Sequence, residues 1–282
     1  IELKDATFEW DTFPSEDNKT IEAEKTEEEG TPLDTKESSD LQKSSTNDVT
    51  EDSQLEEKIV FKGFRDISFQ IKKNEFVIVT GPIGSGKSSL LTALSGFMTK
   101  KQGSLGYQSR PLLCSQPPWV QNATVRDNIL FGQQYEQAWY NSVLESCCLK
   151  DDLKNFPAGD FTEIGERGIT LSGGQKARIS LARAVYSKQP IILFDDFLSA
   201  VDSKVGKQIV DDCFLGVLKN QTRVLATHQL SLIGNADRVI FLNGDGSINI
   251  GTVDELLVKN EAFVQLMEFS KNAKDKSKDQ DA

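Results

Sequence analysis

Gly81-Pro82-Ile83-Gly84-Ser85-Gly86-Lys87-Ser88 fits the spacing G-x-x-x-x-G-K-[ST], and each position has a reason in anion chemistry. Glycines let successive backbone N–H groups wrap a phosphate, and a helix starting near Lys87 turns its positive end towards it. Lys87 neutralises β- and γ-phosphates, while the Ser88 hydroxyl can ligate Mg2+. Taken alone, the string also reads as a tight glycine turn. Asp195 ends the apolar run 191–194, where a carboxylate can hold Mg2+ through water. Strands also end in Asp for turn reasons alone. Together, loop and carboxylate make a nucleoside-triphosphatase site. A third string, Leu171-Ser172-Gly173-Gly174-Gln175, precedes a helical pattern at 176–186 and offers a hydroxyl, an amide and backbone donors to a phosphate. An ordinary Ser-Gly helix cap reads the same way.

These residues need particular elements behind them. Phe76-Val77-Ile78-Val79-Thr80 reads as a fully buried strand running straight into the glycine loop, and Leu90, Leu91, Leu94 and Phe97 mark a helix after it. Residues 59–61 and 67–71 read as half-buried strands. The short apolar runs 191–194, 224–226 and 239–242 alternate with helical patterns such as 206–219, which predicts an α/β fold with a mainly parallel sheet covered on both faces. From about residue 124 to 188 the patterns are helical, so a helical subdomain is expected there. The boundaries read as a β subdomain and phosphate-loop part at 1–10 and 58–115, a helical subdomain at 116–188, the rest of the core at 189–270 and a charged linker at 271–282.

The net charge of −11 over 282 residues is local. Residues 11–57 hold 16 acidic and 4 lysine residues, leaving 28 basic against 27 acidic elsewhere. That segment is rich in Glu, Asp, Ser and Thr and poor in aromatics, which predicts a disordered acidic insertion. Thr26 and Thr50 precede acidic runs suited to acid-directed kinases, although a merely tolerated solvated loop fits equally. A near-neutral remainder gives no nucleic-acid surface, and no heptads run through it. Four cysteines without C-x-x-C spacing and a single histidine leave little for a zinc site, and reduced thiols fit a cytosolic domain. No apolar run approaches the roughly 20 residues that span a bilayer. The opening Ile1 and the absence of a signal-like stretch favour a segment of a longer polypeptide.

In order, these motifs resemble the ABC ATPases: Walker A at 81–88, the Q-loop at Gln116, the signature at 171–175, Walker B ending at Asp195, the D-loop Ser199-Ala200-Val201-Asp202 and the switch His228. The resemblance covers about residues 1–10 and 58–270. The runs Asp5-Ala6-Thr7-Phe8-Glu9-Trp10 and 116–132 are similar to the first nucleotide-binding domain of the multidrug-resistance-protein subfamily. It implies a P-loop ATPase core with an antiparallel β subdomain and a helical subdomain, binding ATP and Mg2+ on the cytoplasmic face of a plasma membrane. Two domains would sandwich ATP, and the work would be export of organic anions or lipophilic drugs.

The resemblance also assigns roles. Gly81, Pro82, Ile83, Gly84, Ser85, Gly86, Lys87, Ser88 and Ser89 would hold phosphates, and Trp10 would stack on adenine. Ser88, Gln116 and Asp195 would serve Mg2+, and neutral His228 would meet the γ-phosphate. Ser172, Gly173, Gly174 and Gln175 would face a nucleotide held by a second nucleotide-binding domain. Gln116 and Phe131 would touch the coupling helices of membrane domains, though a Phe read from sequence alone is more often core. One departure stands out: Asp196 occupies the position of the family's catalytic Glu. A carboxylate drawn back by about 1 Å costs orders of magnitude in rate, which predicts ATP binding with slow hydrolysis at this site. A nucleotide-sensing module that never turns over is the alternative, whereas an ABC ATPase acting on DNA or ribosomes would need the basic surface or heptads that are missing.

Overall fold

The computed structural model describes residues 1–10, 63–165 and 169–278, with only the backbone given from 270 onwards. The acidic segment 11–57 and the strand expected at 59–61 lie outside the described residues. Strand β3, Phe76–Thr80, has all five residues buried and forms the middle of a six-stranded sheet. β10 (Arg238–Leu242) and β9 (Thr222–Ala226) flank it in parallel, then come β8 (Ile191–Asp195) and β5 (Leu112–Cys114), also parallel. Only β11 (Ile248–Gly251), on the far edge beyond β10, runs antiparallel. This is the α/β arrangement expected from apolar runs too continuous for a one-sided sheet.

Because strand side chains alternate between faces, β3 feeds two cores. Val77 and Val79 pack with Leu193, Val224, Ile240 and helix α1 (Lys87–Leu94) on one side. Phe76 and Ile78 pack with Ile192, Phe194, Leu225 and Phe241 on the other, against the helices. The first core also receives a three-stranded antiparallel sheet in the order β2 (Gly63–Gln70), β1 (Glu2–Glu9), β4 (Thr99–Gly106).

The middle of the chain is helical: α2 (Val125–Leu130), α3 (Gln137–Ser146), α4 (Lys150–Asn155) and α5 (Gly173–Tyr186), with one two-residue pair, β6 (Ala123–Thr124) on β7 (Glu163–Ile164). The helix expected at 206–219 begins earlier, as α6 (Ser203–Ile209), because the Asp202 carboxylate accepts the N–H groups of Lys204 and Val205. It continues as a wide π-turn over Val210–Val217 that presents Phe214 to Phe194 and Phe76, with ring centroids 4.8 and 5.7 Å away. After α7 (Val253–Lys259), α8 (Glu261–Lys278) extends through residues 271–278, which were expected to be linker. Nothing in Lys271-Asn272-Ala273-Lys274-Asp275-Lys276-Ser277-Lys278 breaks a helix, since Gly and Pro are absent. Among the described residues no helix is long and apolar enough to cross a membrane.

Candidate active site

The glycine loop leaves β3 and enters α1, so the sheet aims it at the carboxyl edge, where ligands of open α/β sheets bind. Gly81 has φ 153°, and a Cβ there would lie 2.5 Å from the Leu242 carbonyl. No other residue fits beside β10 at that point. Gly86 is the N-cap of α1, left-handed at φ 94°, and no side chain caps the helix. The first N–H groups of α1 are therefore left for an anion. Among the described residues Ser85 Oγ is buried without a hydrogen-bond partner. A buried hydroxyl in a glycine cradle, beside uncapped helix donors, fits a bound phosphate.

Lys87 folds over this loop. Its ammonium donates to the carbonyls of Gly81 (3.0 Å) and Pro82 (2.8 Å). Burial draws its pKa down to about 8, with the charges of Asp196 and Asp195 opposing. Ser88 Oγ donates to Asp195 Oδ1 at 2.8 Å, so the hydroxyl and carboxylate that would serve Mg2+ already touch. Burial lifts the Asp195 pKa and Asp196 adds to the lift, while Ser88 and Lys87 oppose it. A cation between these groups would relieve that cost. Trp10, directly after β1, is 45% exposed and donates its indole N–H to Ser89 Oγ at 3.2 Å. This fixes an open aromatic face beside the first turn of α1.

Asp196 takes the left-handed conformation, φ 40°, with its N–H on the Ala226 carbonyl at 2.9 Å. Among the described residues no hydrogen bond joins Gln116 to Asp195 or Ser88. Its amide donates to Ser199 Oγ at 3.0 Å, and Ser199 donates to the Asp196 carbonyl at 2.7 Å. His228 follows β9 on an exposed turn, and burial and Lys87 lower its pKa against the pull of Asp196. The lowered pKa favours the neutral imidazole, in which one nitrogen donates and one accepts.

The third string caps α5. Ser172 Oγ accepts the Gln175 N–H (3.2 Å), and Gln175 Oε1 accepts the Ser172 N–H (3.0 Å). With one of its two lone pairs used in the cap, the Ser172 hydroxyl still has its proton to donate outwards, beside the exposed Gly173. Among the described residues no hydrogen bond or ion pair joins 171–175 to 81–89.

Residues 64–199 match the ABC transporter family profile. The oligomycin resistance ATP-dependent permease YOR1 of Saccharomyces cerevisiae is 57% identical over 227 residues, covering 80% of this chain and 15% of the permease. This chain carries a domain of the ABC transporter family. The ABC-type transporter cicA of Emericella nidulans is 42% identical over 268 residues, 95% of this chain and 18% of its own length. Multidrug resistance protein mrp-7 of Caenorhabditis elegans is 44% identical over 218 residues, 77% and 14% respectively. The chain thus spans less than a fifth of the relatives it matches.

In this ABC domain Phe131 is no core residue: it is 47% exposed, at the left-handed C-cap of α2. Its ring meets Trp119 edge-on at 5.6 Å, and the Arg183 guanidinium lies 3.9 Å from the Trp119 centroid and 5.2 Å from that of Phe131. Arg183 is held by the Asn128 carbonyl (2.8 Å) and side chain (3.0 Å). Together they border a groove of about 120 Å³ with Leu112, Leu113 and Ala184. Sequence reasoning singled out Phe131 but missed Arg183, Trp119 as its ring partner, and Ser199 as the partner of Gln116. The pair Trp119/Arg183 is 64 residues apart in sequence, and no local pattern joins them.

Proposed function

We propose that this chain is the ATP-binding domain of a subfamily-C exporter, coupling MgATP binding and hydrolysis in a two-domain sandwich to export across a membrane whose cytoplasmic face it occupies, the plasma membrane being the expected one. The observation that carries this is the convergence of an uncapped α1, Lys87 and the Ser88–Asp195 pair at the carboxyl edge of the sheet. Gly81, Pro82, Ile83, Gly84, Ser85, Gly86 and Lys87 bind the phosphates. Ser88, Asp195 and, after leaving Ser199, Gln116 hold the metal, and Trp10, anchored on Ser89, takes the adenine face. When bound, Mg2+ supplies the positive charge that offsets the β,γ-oxygens. Neutral His228 donates a hydrogen bond to the γ-phosphate, and Asp196 orients or deprotonates the attacking water, slowly because of its short reach. Ser172, Gly173 and Gly174 present their donors to a nucleotide on the second nucleotide-binding domain.

The subdomain division at 116–188 and 189–270, the contact of Phe131 and Gln116 with membrane-domain helices, and kinase action on 11–57 belong to the same reading. Drugs as cargo fit the words oligomycin resistance and multidrug resistance in two relatives' names, and organic anions follow from the subfamily resemblance alone. Asp196 also favours a second reading, a module that binds ATP and never hydrolyses it. Calorimetry of MgATP on the purified chain, with phosphate release followed over hours, separates them. Tight binding with slow but finite release supports the transporter ATPase, no release even with the second domain added supports the sensor, and no binding sinks both.

A further inference from the structure

The signature turn is braced from outside the motif. Asp152, in the short helix α4, receives two donors from Arg178 on one carboxylate oxygen, Nε at 3.0 Å and Nη2 at 2.7 Å. Its other oxygen receives Gln175 Nε2 at 3.1 Å. The Asp152 and Arg178 side chains are 14% and 13% exposed, so the pair sits largely out of water, where a charge-assisted hydrogen bond holds most firmly. Gln175 therefore has both ends of its amide engaged, Oε1 on the Ser172 N–H and Nε2 on Asp152. A carboxylate only accepts, so Asp152 dictates which way the amide faces and with it the capping box that orients Ser172. Gly174 leaves room for the arrangement: a Cβ there would lie 3.3 Å from Arg178 Nη1 and 3.2 Å from the Ala200 carbonyl.

We propose that Asp152 and Arg178 are positioning residues of the signature motif, acting through Gln175 to fix the direction of the Ser172 hydroxyl and the Gly173 and Gly174 N–H groups towards the phosphate of the partner-held nucleotide. This rests on the sandwich reading above. Gln175 is on this account a strut and not a phosphate ligand. Without Asp152 the amide is free to flip, and donors displaced by about 1 Å lose on the order of a hundredfold in rate.

The test uses the full-length polypeptide that carries this chain, with Ser172→Ala as the reference. ATP turnover, the KM for ATP, thermal stability and MgATP affinity at this chain's own Walker site are measured for D152N, D152A, R178K, Q175A and D152A/Q175A. The expected result is a fall in kcat of about tenfold or more for D152A and R178K, with own-site affinity within about twofold of wild type. D152A/Q175A should be no slower than the slower single variant, because both act through one strut. D152N, which keeps the shape but offers one acceptor to three donors, should lie between wild type and D152A, and it decides the question if D152A does not fold. Turnover unchanged in D152N and R178K while S172A is impaired would overturn the proposal and leave the sandwich standing. An additive double variant, or equal loss of turnover and own-site affinity, would also overturn it, as both denote general damage. If S172A itself has no effect, the sandwich reading fails first.

Discussion

At the scale of single residues the site is a set of charges placed so that each lacks something a nucleotide supplies. Lys87 spends its ammonium on two loop carbonyls, and burial has already lowered its pKa to about 8. Phosphate oxygens would displace those carbonyls and favour the charged form more strongly. Lys87→Ala is accordingly expected to weaken MgATP binding about thirtyfold, or about 2 kcal/mol for a charged hydrogen-bonding group, as read by calorimetry. An affinity unchanged in that variant would contradict the phosphate cradle. Asp196 raises a subtler trade. Asp tolerates the left-handed backbone that φ 40° demands better than a longer side chain does. Asp196→Glu is therefore expected to raise phosphate release tenfold or more, by restoring the missing methylene, while lowering stability by about 1 kcal/mol. Stopped single-turnover assays and denaturant midpoints check the two halves separately. Faster release without lost stability would show that the turn carries no strain, and slower release would remove Asp196 from the water-activating role.

Elements bring these residues together through contacts far apart in the chain, and there the sequence was uneven as a guide. β3, β8, β9 and β10 were legible because both faces are buried, which leaves the continuous apolar runs 76–79, 191–194, 224–226 and 239–242 in the sequence. β4 was not: Thr99-Lys100-Lys101-Gln102-Gly103-Ser104-Leu105-Gly106 has no buried position, and only its pairing with β1 makes it a strand. The phosphate loop, Asp195 and the signature string could be read from local spacing, whereas the Ser199 latch on Gln116 spans 83 residues and Asp152–Arg178 spans 26. Motifs follow the chain, but struts follow the fold. One strut anchors the start of β3. Glu75 is buried, accepts the Lys72 N–H and pairs with Arg238 at the head of β10. Burial disfavours its charge, yet the Arg238 and Lys72 hydrogen bonds outweigh that and hold its pKa below 4.5. A carboxylate with a depressed pKa stabilises the fold fully above its unfolded value and loses that contribution as pH falls through the folded one. The stability gap between wild type and Glu75→Gln should therefore be constant above about pH 5 and shrink below pH 4.5. Thermal melts from pH 3 to 7 measure it, and a gap independent of pH would mean that packing and not charge gives Glu75 its value.

The whole molecule presents two regions of different chemistry. One carries the phosphate loop, Asp195 and His228; the other carries Phe131, Trp119 and Arg183 around an apolar groove. The Cys114–Ser115 segment and Ser180 lie between them, lining both this groove and a small cavity beside Gln116, Asp195 and Asp196. One layer of side chains thus separates the groove from Asp195 and Asp196. Phe131 itself contributes little to the fold: its ring is half in water, and its backbone holds a left-handed cap that Gly or Asn would fill as well. Phe131→Ala should therefore shift the melting temperature of the isolated chain by only a few degrees and leave its MgATP affinity within about twofold. In the full-length transporter the same change should cut assembly with the membrane domains severalfold, because an exposed aromatic beside a stacked guanidinium is the kind of anchor that dominates an interface. Co-purification of membrane segments with this chain, set against calorimetry on the chain alone, gives both numbers. Equal losses would place Phe131 in the fold's own stability, and no loss of assembly would leave the groove without the role proposed for it.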